Sequence, residues 1–571
     1  MTDVIGVGQE DARYACGRRL VTGPCAMMKW EQVLAEGVGD DCCRGRPEGT
    51  GPMPDDILSV YAESQPDKPG VIDDRPDGTV ITWTYAELEA QANRVANLLL
   101  SLGAGPGTKV LWCGPNSLQV VAVMNATRKI GAVAVPLNYR LTPEEACYVI
   151  NHSDAEVVYV DYEHVAMFAA LRGQLAKVRH IIAVGGPAPL AMLTDADIAA
   201  APASAPAGVG SGGGGGSMIY TSGTTGKPKG AFRTRPQDPA VLGALLNQFG
   251  FRPDDVHITS GPLYHSGPSA FMGAGLLYGQ TIIVQRKFDA EDWLRLVDKY
   301  KASSTFAAPA TVRLICALPR EVKDRYDRSS MRVMIANAAP WSYALKQKYL
   351  ADFPARSLFE IYGSTELGVD TVLMPEDQIR KPGSCGKPAP GIEIQLLDDD
   401  GNEVTGTGPD HGGEVFVRSA TTFDAYYKND ASYESNSRGD FHTVGDIAYW
   451  DDEGYLYICD RKTDMIISGG MNIYPAEIAA ALERHPEIFD VAVFGIPSEE
   501  WGEVVHATVV RSPGSSLTAA EVTAFARENL AGYKVPRSVD FTGELPRTGS
   551  GKVLKRQLRA PFWAGRTAQV G

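Results

Sequence analysis

No stretch of this chain strings together the roughly 20 apolar residues that a membrane-spanning helix needs, so an integral membrane protein is not expected. Peripheral contact with a membrane stays open. The first residues also lack the basic-then-apolar pattern of a secretory leader. Cysteine is sparse and shows no paired spacing: nine residues, with Cys113, Cys147, Cys316 and Cys459 scattered, fit a reduced, cytoplasmic setting. Cys16, Cys25, Cys42 and Cys43 crowd the start of the chain without the C-x-x-C spacing of a zinc site. Residues 1–51 are read as an N-terminal appendage of unknown role. Positive charge is in deficit, 54 Lys and Arg against 69 Asp and Glu, for a formal charge of -15. Such a balance repels a nucleic-acid backbone, which excludes nucleic acid as a partner while leaving room for a local basic pocket.

What is present is a globular composition, 44% hydrophobic and 22% charged over 571 residues. That length exceeds one simple core and points to several lobes with a site between them. From about Asp55 the text becomes regular. Trp83 to Leu100 places apolar residues at helical spacing behind a Thr84 cap. Lys109–Cys113, a Gly-Pro-Asn turn, an apolar helix and then Ala132–Pro136 follow in a strand-helix-strand rhythm. Val157 to Val160 and His180 to Val184 read as buried parallel strands. Residues 185–217, rich in Ala, Pro and Gly and ending in Gly212 to Gly216, read as a flexible linker whose freedom would let the next loop move over a ligand. A second change of texture near Asp460 opens a smaller segment of mixed helices and strands that runs to about Leu558.

The linker leads into Thr221-Ser222-Gly223-Thr224-Thr225-Gly226-Lys227-Pro228-Lys229. Hydroxyls, glycines and lysines packed this closely offer backbone N–H groups, O–H donors and positive charge to a polyphosphate. It is not a Walker loop, because Pro228 follows Gly226-Lys227 where Ser or Thr would be required. Taken alone, the composition also suits a plain surface loop.

The complete string resembles the AMP-binding motif of the adenylate-forming (ANL) superfamily of acyl-CoA synthetases, adenylation domains and luciferases. The resemblance recurs, in order, over about residues 55–560. It implies an α/β fold: a large N-terminal domain, 52–459, of two α/β subdomains plus a distorted β-barrel, then a small mobile α+β domain, 460–571, carrying a catalytic lysine. It implies ATP, coenzyme A and Mg2+ as ligands, with the loop above gripping phosphate. Pro262-Leu-Tyr-His-Ser-Gly267 is similar to the segment flanking the acyl pocket, with His265 near the carboxylate. Ala336-Asn-Ala-Ala-Pro340 is similar to the segment beside adenine, with Ala338 and Ala339 in contact, although Asn337 and Ala338 stand where glycines are common. Phe359-Glu360-Ile361-Tyr362-Gly363-Ser364-Thr365-Glu366 resembles the second nucleotide motif. There Glu360, Gly363 and Ser364 line the nucleotide, Tyr362 stacks on adenine, Thr365 meets the α-phosphate, and Glu366 binds Mg2+ with help from Thr221. A carboxylate there also suits a hard cation, although an acid at that place can simply begin a helix.

By the same resemblance Asp446 bonds the ribose hydroxyls, Arg461 assists, and Asp460 marks a hinge. Gly469 and Gly470, ahead of a helix entered at Pro475, form the coenzyme A loop. Lys552, in Pro546-Arg-Thr-Gly-Ser-Gly-Lys552, matches the catalytic lysine. The implied reaction is carboxylate plus ATP to acyl-AMP and pyrophosphate, then acyl-AMP plus CoA to acyl-CoA and AMP, in a ligase of the fatty-acid type. A homodimer is compatible with the resemblance. Two alternatives stand beside it: an enzyme that loads a carrier protein, and a nucleotide-binding homologue without catalysis. The acid is expected to be fatty or otherwise hydrophobic, since its pocket would be built from small and apolar segments such as Leu263 to Met272 and Ala307 to Arg313.

Overall fold

The computed structural model describes residues 56–189, 192–207, 215–221, 227–234, 239–337, 339, 341–549 and 551–564. The expected appendage with its four cysteines lies outside the described residues, as do 222–226 and Ala338.

Helix Tyr85–Ser101 begins where its sequence places it. Thr84 accepts the Glu87 amide and the Glu87 carboxylate accepts the Thr84 amide, a reciprocal cap. Its buried stripe, Leu88, Ala92, Val95, Ala96 and Leu99, packs on helix Leu118–Lys129 in one continuous apolar core. The apolar runs form parallel strands: Lys109–Cys113 lies between Val133–Leu137, one residue later than expected, and Val157–Asp161, which in turn pairs His180–Val184. Strands Ser217–Thr221 and Lys229–Arg233, then Ala425–Tyr426, complete a seven-stranded sheet.

A second, nine-stranded sheet holds the other half of the large domain. Its parallel centre runs Leu358–Ser364, Val333–Ala336, Ser304–Ala307, Val256–Thr259 and Thr281–Val284. Burial on both faces explains why these strands read as nearly continuous apolar runs.

Two expectations change. Residues 185–217 are not a free linker throughout. Helix Asp195–Ala200 forms inside them behind a Thr194/Asp197 reciprocal cap. Arg94, Asn93 and Asn97 then donate to the carbonyls of Ala199, Ala201, Pro202, Ala203 and Ser204, which fastens the segment to helix Tyr85–Ser101. At its end, a Cβ on Gly215 would meet the Ala132 carbonyl oxygen at 2.7 Å, so that glycine serves close packing.

The expected distorted barrel is an open, branched sheet. Strand Gly413–Ser419 takes Ile392–Leu397 along one edge, and Phe441–His442 and Asp446–Trp450 share the other in succession. Ser437–Arg438 and Leu456–Arg461 then extend the two branches, and the described strands do not close on themselves. A barrel needs a continuous staggered ladder from strand to strand, and here one edge of Gly413–Ser419 is divided between two short strands, so the sheet forks.

The chain beyond Arg461 forms an α+β unit around Gly502–Arg511, which pairs Ile488–Ser498, Ile466–Ser468 and Ser538–Thr542. Its own core contains Ile466, Ile473, Ile478, Leu482, Val493, Val505 and Val509. Helix Pro475–Leu482 starts at its proline, as the sequence implies.

Candidate active site

The cleft is assembled from strand ends. Strand Ser217–Thr221 delivers Thr221 to the margin of the first sheet, and the reversal between Leu358–Ser364 and Gly368–Leu373 delivers Glu366 from the second. That reversal demands Gly363, because a side chain there would overlap the Gly368 carbonyl oxygen. Thr221 Oγ1 donates to Glu366 Oε1 over 3.1 Å, and Tyr426 Oη donates to the same oxygen over 3.0 Å. The carboxylate is buried, and both hydrogen bonds fall on Oε1 rather than Oε2. One carboxylate and one hydroxyl at this spacing fit part of a Mg2+ shell, since this ion usually takes few protein ligands and completes its octahedron with water and phosphate. No group of three or more His, Cys, Asp or Glu capable of caging a metal occurs among the described residues. Water and phosphate oxygens would therefore supply the remainder.

Next to it, Tyr362 Oη donates to Asp446 Oδ2 over 2.8 Å, and Arg461 Nε lies 3.3 Å from Asp446 Oδ1. Asp446 and Arg461 face each other across the pairing of Asp446–Trp450 with Leu456–Arg461, so β-register alone sets this ion pair. Burial, then the Asp446 charge, pushes the Tyr362 phenol well above its ordinary range, so it stays a donor.

Lys552 arrives from the C-terminal unit on a tight hairpin. Thr548 N–H donates to the Lys552 carbonyl (2.8 Å) and Lys552 N–H donates to Thr548 Oγ1 (3.1 Å). The hairpin seats on the large domain without room to spare. A side chain on Gly549 would overlap the Tyr264 hydroxyl, and one on Gly551 would touch Ala310 and Ala308 at 3.3 and 3.4 Å. Although Lys552 retains exposed surface as a whole residue, desolvation in the cleft lowers its ammonium pKa. Arg461 lowers it further, and Asp446 and Glu366 oppose the shift. His265 heads helix Ser266–Leu277. Burial, then Lys552 and Arg140, depresses it to about 4, so it is neutral near pH 7. Its Nε2 and the Tyr264 hydroxyl are buried without hydrogen-bond partners among the described residues. Both atoms lie against Gly549 of the Lys552 hairpin, and buried polar atoms of this kind are met by an ordered water or by a functional contact.

Thr221, Glu366, Asp446, Arg461, His265 and Lys552 are thus brought into one cleft, although they span most of the chain. Thr365 joins them through Ser266, their hydroxyls 2.8 Å apart. Lys229 reaches Ser432 Oγ at 2.6 Å, whereas Lys227 lies 4.9 Å over the Tyr148 ring. Ser364 caps its own turn by accepting from the Leu367 amide. Glu360 departs further from expectation. Its carboxylate is buried in an ion pair with Lys346, and burial still raises its pKa. Gly469 and Gly470 form the tight turn between Ile466–Ser468 and Met471–Ile473, both with positive φ, and Trp501 packs on Gly469. Ser222 to Gly226 and Ala338 lie outside the described residues, and Ala339 contributes no side-chain polar group.

Tyr426 and Arg233 were not found from sequence. Arg233 donates to the backbone carbonyls of Thr421 and of Thr365, the latter next to Glu366 in sequence. Neither sits in a glycine-rich string, so only the folded contact reveals them. Arg313, at the end of a segment expected to wall the acid pocket, turns instead to the C-terminal unit.

The family model described as AMP-binding enzyme matches residues 58–427, and the model of the AMP-binding enzyme C-terminal domain matches residues 477–552. The chain belongs to the AMP-binding enzyme family. As a member, it is an enzyme of the adenylate-forming superfamily, an AMP-forming acid–thiol ligase. A feruloyl-CoA synthase of Amycolatopsis sp is 35% identical over 492 residues, covering 86% of this chain and 95% of the relative. A long-chain-fatty-acid–CoA ligase, FadD13, of Mycobacterium tuberculosis is 32% identical over 489 residues, covering 85% and 94%. Among solved structures, the anthranilate CoA ligase AuaEII in complex with anthranoyl-AMP superposes with a TM-score of 0.80 at 26% identity, covering 89% and 96%. The agreement of this AMP-binding enzyme with that architecture spans both the large domain and the C-terminal unit.

Proposed function

We propose that this enzyme activates a hydrophobic carboxylic acid, fatty or aromatic, in two steps: adenylation with ATP, then transfer of the acyl group to coenzyme A. The observation that carries this reading is the seating of Lys552 in the cleft that also holds Glu366, Asp446, Arg461 and His265. A carboxylic acid with the usual pKa is already an anion near pH 7 and needs no general base. The obstacle is repulsion between that anion and the polyphosphate. In the first step a carboxylate oxygen forms a bond to the α-phosphorus while the bond to the pyrophosphate oxygen breaks and pyrophosphate carries off the electron pair. Lys552 and the phosphate loop offset the charge that develops along this line, and Thr365 orients the α-phosphate. Glu366, with Thr221, would hold Mg2+, which when bound would supply further charge neutralisation. Asp446 and Arg461 hold the ribose, and neutral His265 directs Nε2 to the acid.

In the second step the thiol sulfur attacks the acyl carbon, the acyl–phosphate bond breaks and AMP departs. The exposed Met471, Trp501 and Tyr533 line a groove with Ser468 and Arg537 beside the Gly469-Gly470 turn, a surface suited to the thiol donor. Both fatty and aromatic acids stand in the names of the relatives. An apolar pocket separates methylenes only weakly, so the breadth of the proposal follows the chemistry.

The test is AMP release and thioester formation across carboxylates of increasing length and ring content, with and without coenzyme A. Thioester made only when coenzyme A is added supports the reading. Adenylate that accumulates and moves only to a carrier protein, or no AMP from any acid, would sink it.

A further inference from the structure

Helix Pro309–Cys316 touches the Lys552 hairpin at its first turn, where Ala308 and Ala310 abut Gly551. One turn on, Arg313 leaves the large domain and enters the C-terminal unit. Its guanidinium donates to the Phe489 carbonyl (2.6 Å) and to Glu483 Oε1 (2.9 Å), and lies 3.4 Å from Asp490 Oδ1. The second Asp490 oxygen takes the guanidinium of Arg547. Arg547 in turn donates to the Gly551 carbonyl over 2.5 Å, at the base of the hairpin that presents Lys552. A continuous relay therefore runs from a helix of the large domain, through Asp490 and Arg547, to the lysine loop.

The relay is shielded. Side-chain exposure is 17% for Arg313, 14% for Glu483 and 10% for Asp490. Exposed ion pairs are worth little, but parting a shielded guanidinium from two carboxylates leaves charges poorly solvated until water reaches them. These pairs exist only while the C-terminal unit packs on helix Pro309–Cys316, so they favour the arrangement with Lys552 in the cleft over any in which the lysine is withdrawn. A contact made in one state and absent in the other shifts the balance between them. Among the described residues, Arg313's hydrogen bonds and ion pairs go to Phe489, Glu483 and Asp490, none of them in the cleft.

We propose that Arg313 is a positioning residue, a latch that holds the C-terminal unit in its adenylating arrangement and sets how the enzyme divides its time between the two half-reactions. The inference rests on the two-step reading above, with the small domain moving about the Asp460 hinge between the steps, as the resemblance implies. Release of Arg313 slows adenylation, which needs Lys552 in place, and spares thiol transfer, which does not.

The experiment compares wild type with Arg313→Ala, Arg313→Lys and Glu483→Gln, the last altering the latch from the opposite side. Three readouts are taken: pyrophosphate exchange with ATP and an accepted acid, thioester formation from supplied acyl-adenylate, and tryptic cleavage at the Arg461-Lys462 connection without ligand. Arg313→Ala is expected to slow exchange roughly tenfold, within the range typical of coupling between conformational states, and to leave thiol transfer within about twofold. Cleavage should quicken in parallel with the loss of exchange. Arg313→Lys, which keeps the charge but not the fork, should fall between, and Glu483→Gln should follow Arg313→Ala in direction. Equal slowing of both half-reactions, or cleavage identical to wild type, would overturn the latch. Should wild type make no pyrophosphate from any acid, the two-step reading fails by itself, and the cleavage comparison still decides whether Arg313 holds the units together.

Discussion

Thr221 Oγ1 and Glu366 Oε1 meet at 3.1 Å, joining a strand end of the seven-stranded sheet to a turn of the nine-stranded one. Tyr426 fixes the same oxygen from a third side. Glu366→Gln should therefore cut adenylation by roughly 10²- to 10³-fold, the usual loss when a preorganised electrostatic group is removed, and shift the Mg2+ requirement upward. Tyr426→Phe, which removes only the orienting donor, should cost about tenfold. A Mg2+ titration of pyrophosphate release checks both, and equal losses from the two variants would refute the ranking.

Lys552→Ala should abolish most acyl-adenylate formation while thiol transfer to a supplied acyl-adenylate stays largely intact. The loss expected in the first step is roughly 10²-fold or more. The two half-reactions assayed separately decide it, and parallel loss in both would count against the assigned role.

Asp446 accepts from Tyr362 and pairs with Arg461. Asp446→Asn removes the charge but keeps the size, so the ATP KM should rise roughly tenfold while the KM for the acid stays within about twofold. Steady-state kinetics with each substrate varied in turn separate the outcomes. A matched rise in both constants would show a general collapse of the cleft.

Lys346 is fully buried against Glu360. Lys346→Met alone strands a buried carboxylate and should cost about 3–5 kcal/mol, whereas Lys346→Met with Glu360→Leu should recover most of it. Urea midpoints measure the stability. An ATP KM within about twofold of wild type in the double variant would place Glu360 in the scaffold, and a large rise would return it to the nucleotide.

His257 is buried against Ser304, and burial depresses its pKa from 6.5 to about 3. The unfolded chain takes up this proton first as pH falls, so the contribution is complete above pH 6.5 and is lost between pH 6.5 and 3. Its slope is at most about 1.4 kcal/mol per pH unit. His265, depressed to about 4, acts in the same direction. His257→Asn should flatten the fall of the urea midpoint between pH 7 and 4.5, and a curve parallel to wild type would contradict this.

Legibility in the sequence followed the range of the interaction. The Thr84 cap, the apolar strand runs and the Pro475 helix start depend on neighbours a few residues away, and each left a local mark. Helix Asp195–Ala200 hid in an Ala/Pro-rich stretch because six residues are too few to show a period. Tyr426 and Arg233 act on residues more than 50 positions away, and the Arg313 relay joins parts of the chain more than 150 positions apart. A lone tyrosine or arginine has no pattern to announce such a partner. The branching of the six-stranded sheet was illegible for the same reason, since it depends on which two short strands share an edge.

Thr221 pairs with Lys229 across adjacent strands, and farther back Asn93, Arg94 and Asn97 fasten the carbonyls of Ala203, Ala201 and Ser204 to helix Tyr85–Ser101. The chain thus leaves and re-enters the sheet at two points held in adjacent strands, about 5 Å apart. Thr221 takes its position from this ladder, five residue pairs long, and from Ser217 lying opposite Ala134, rather than from the segment that leads into it.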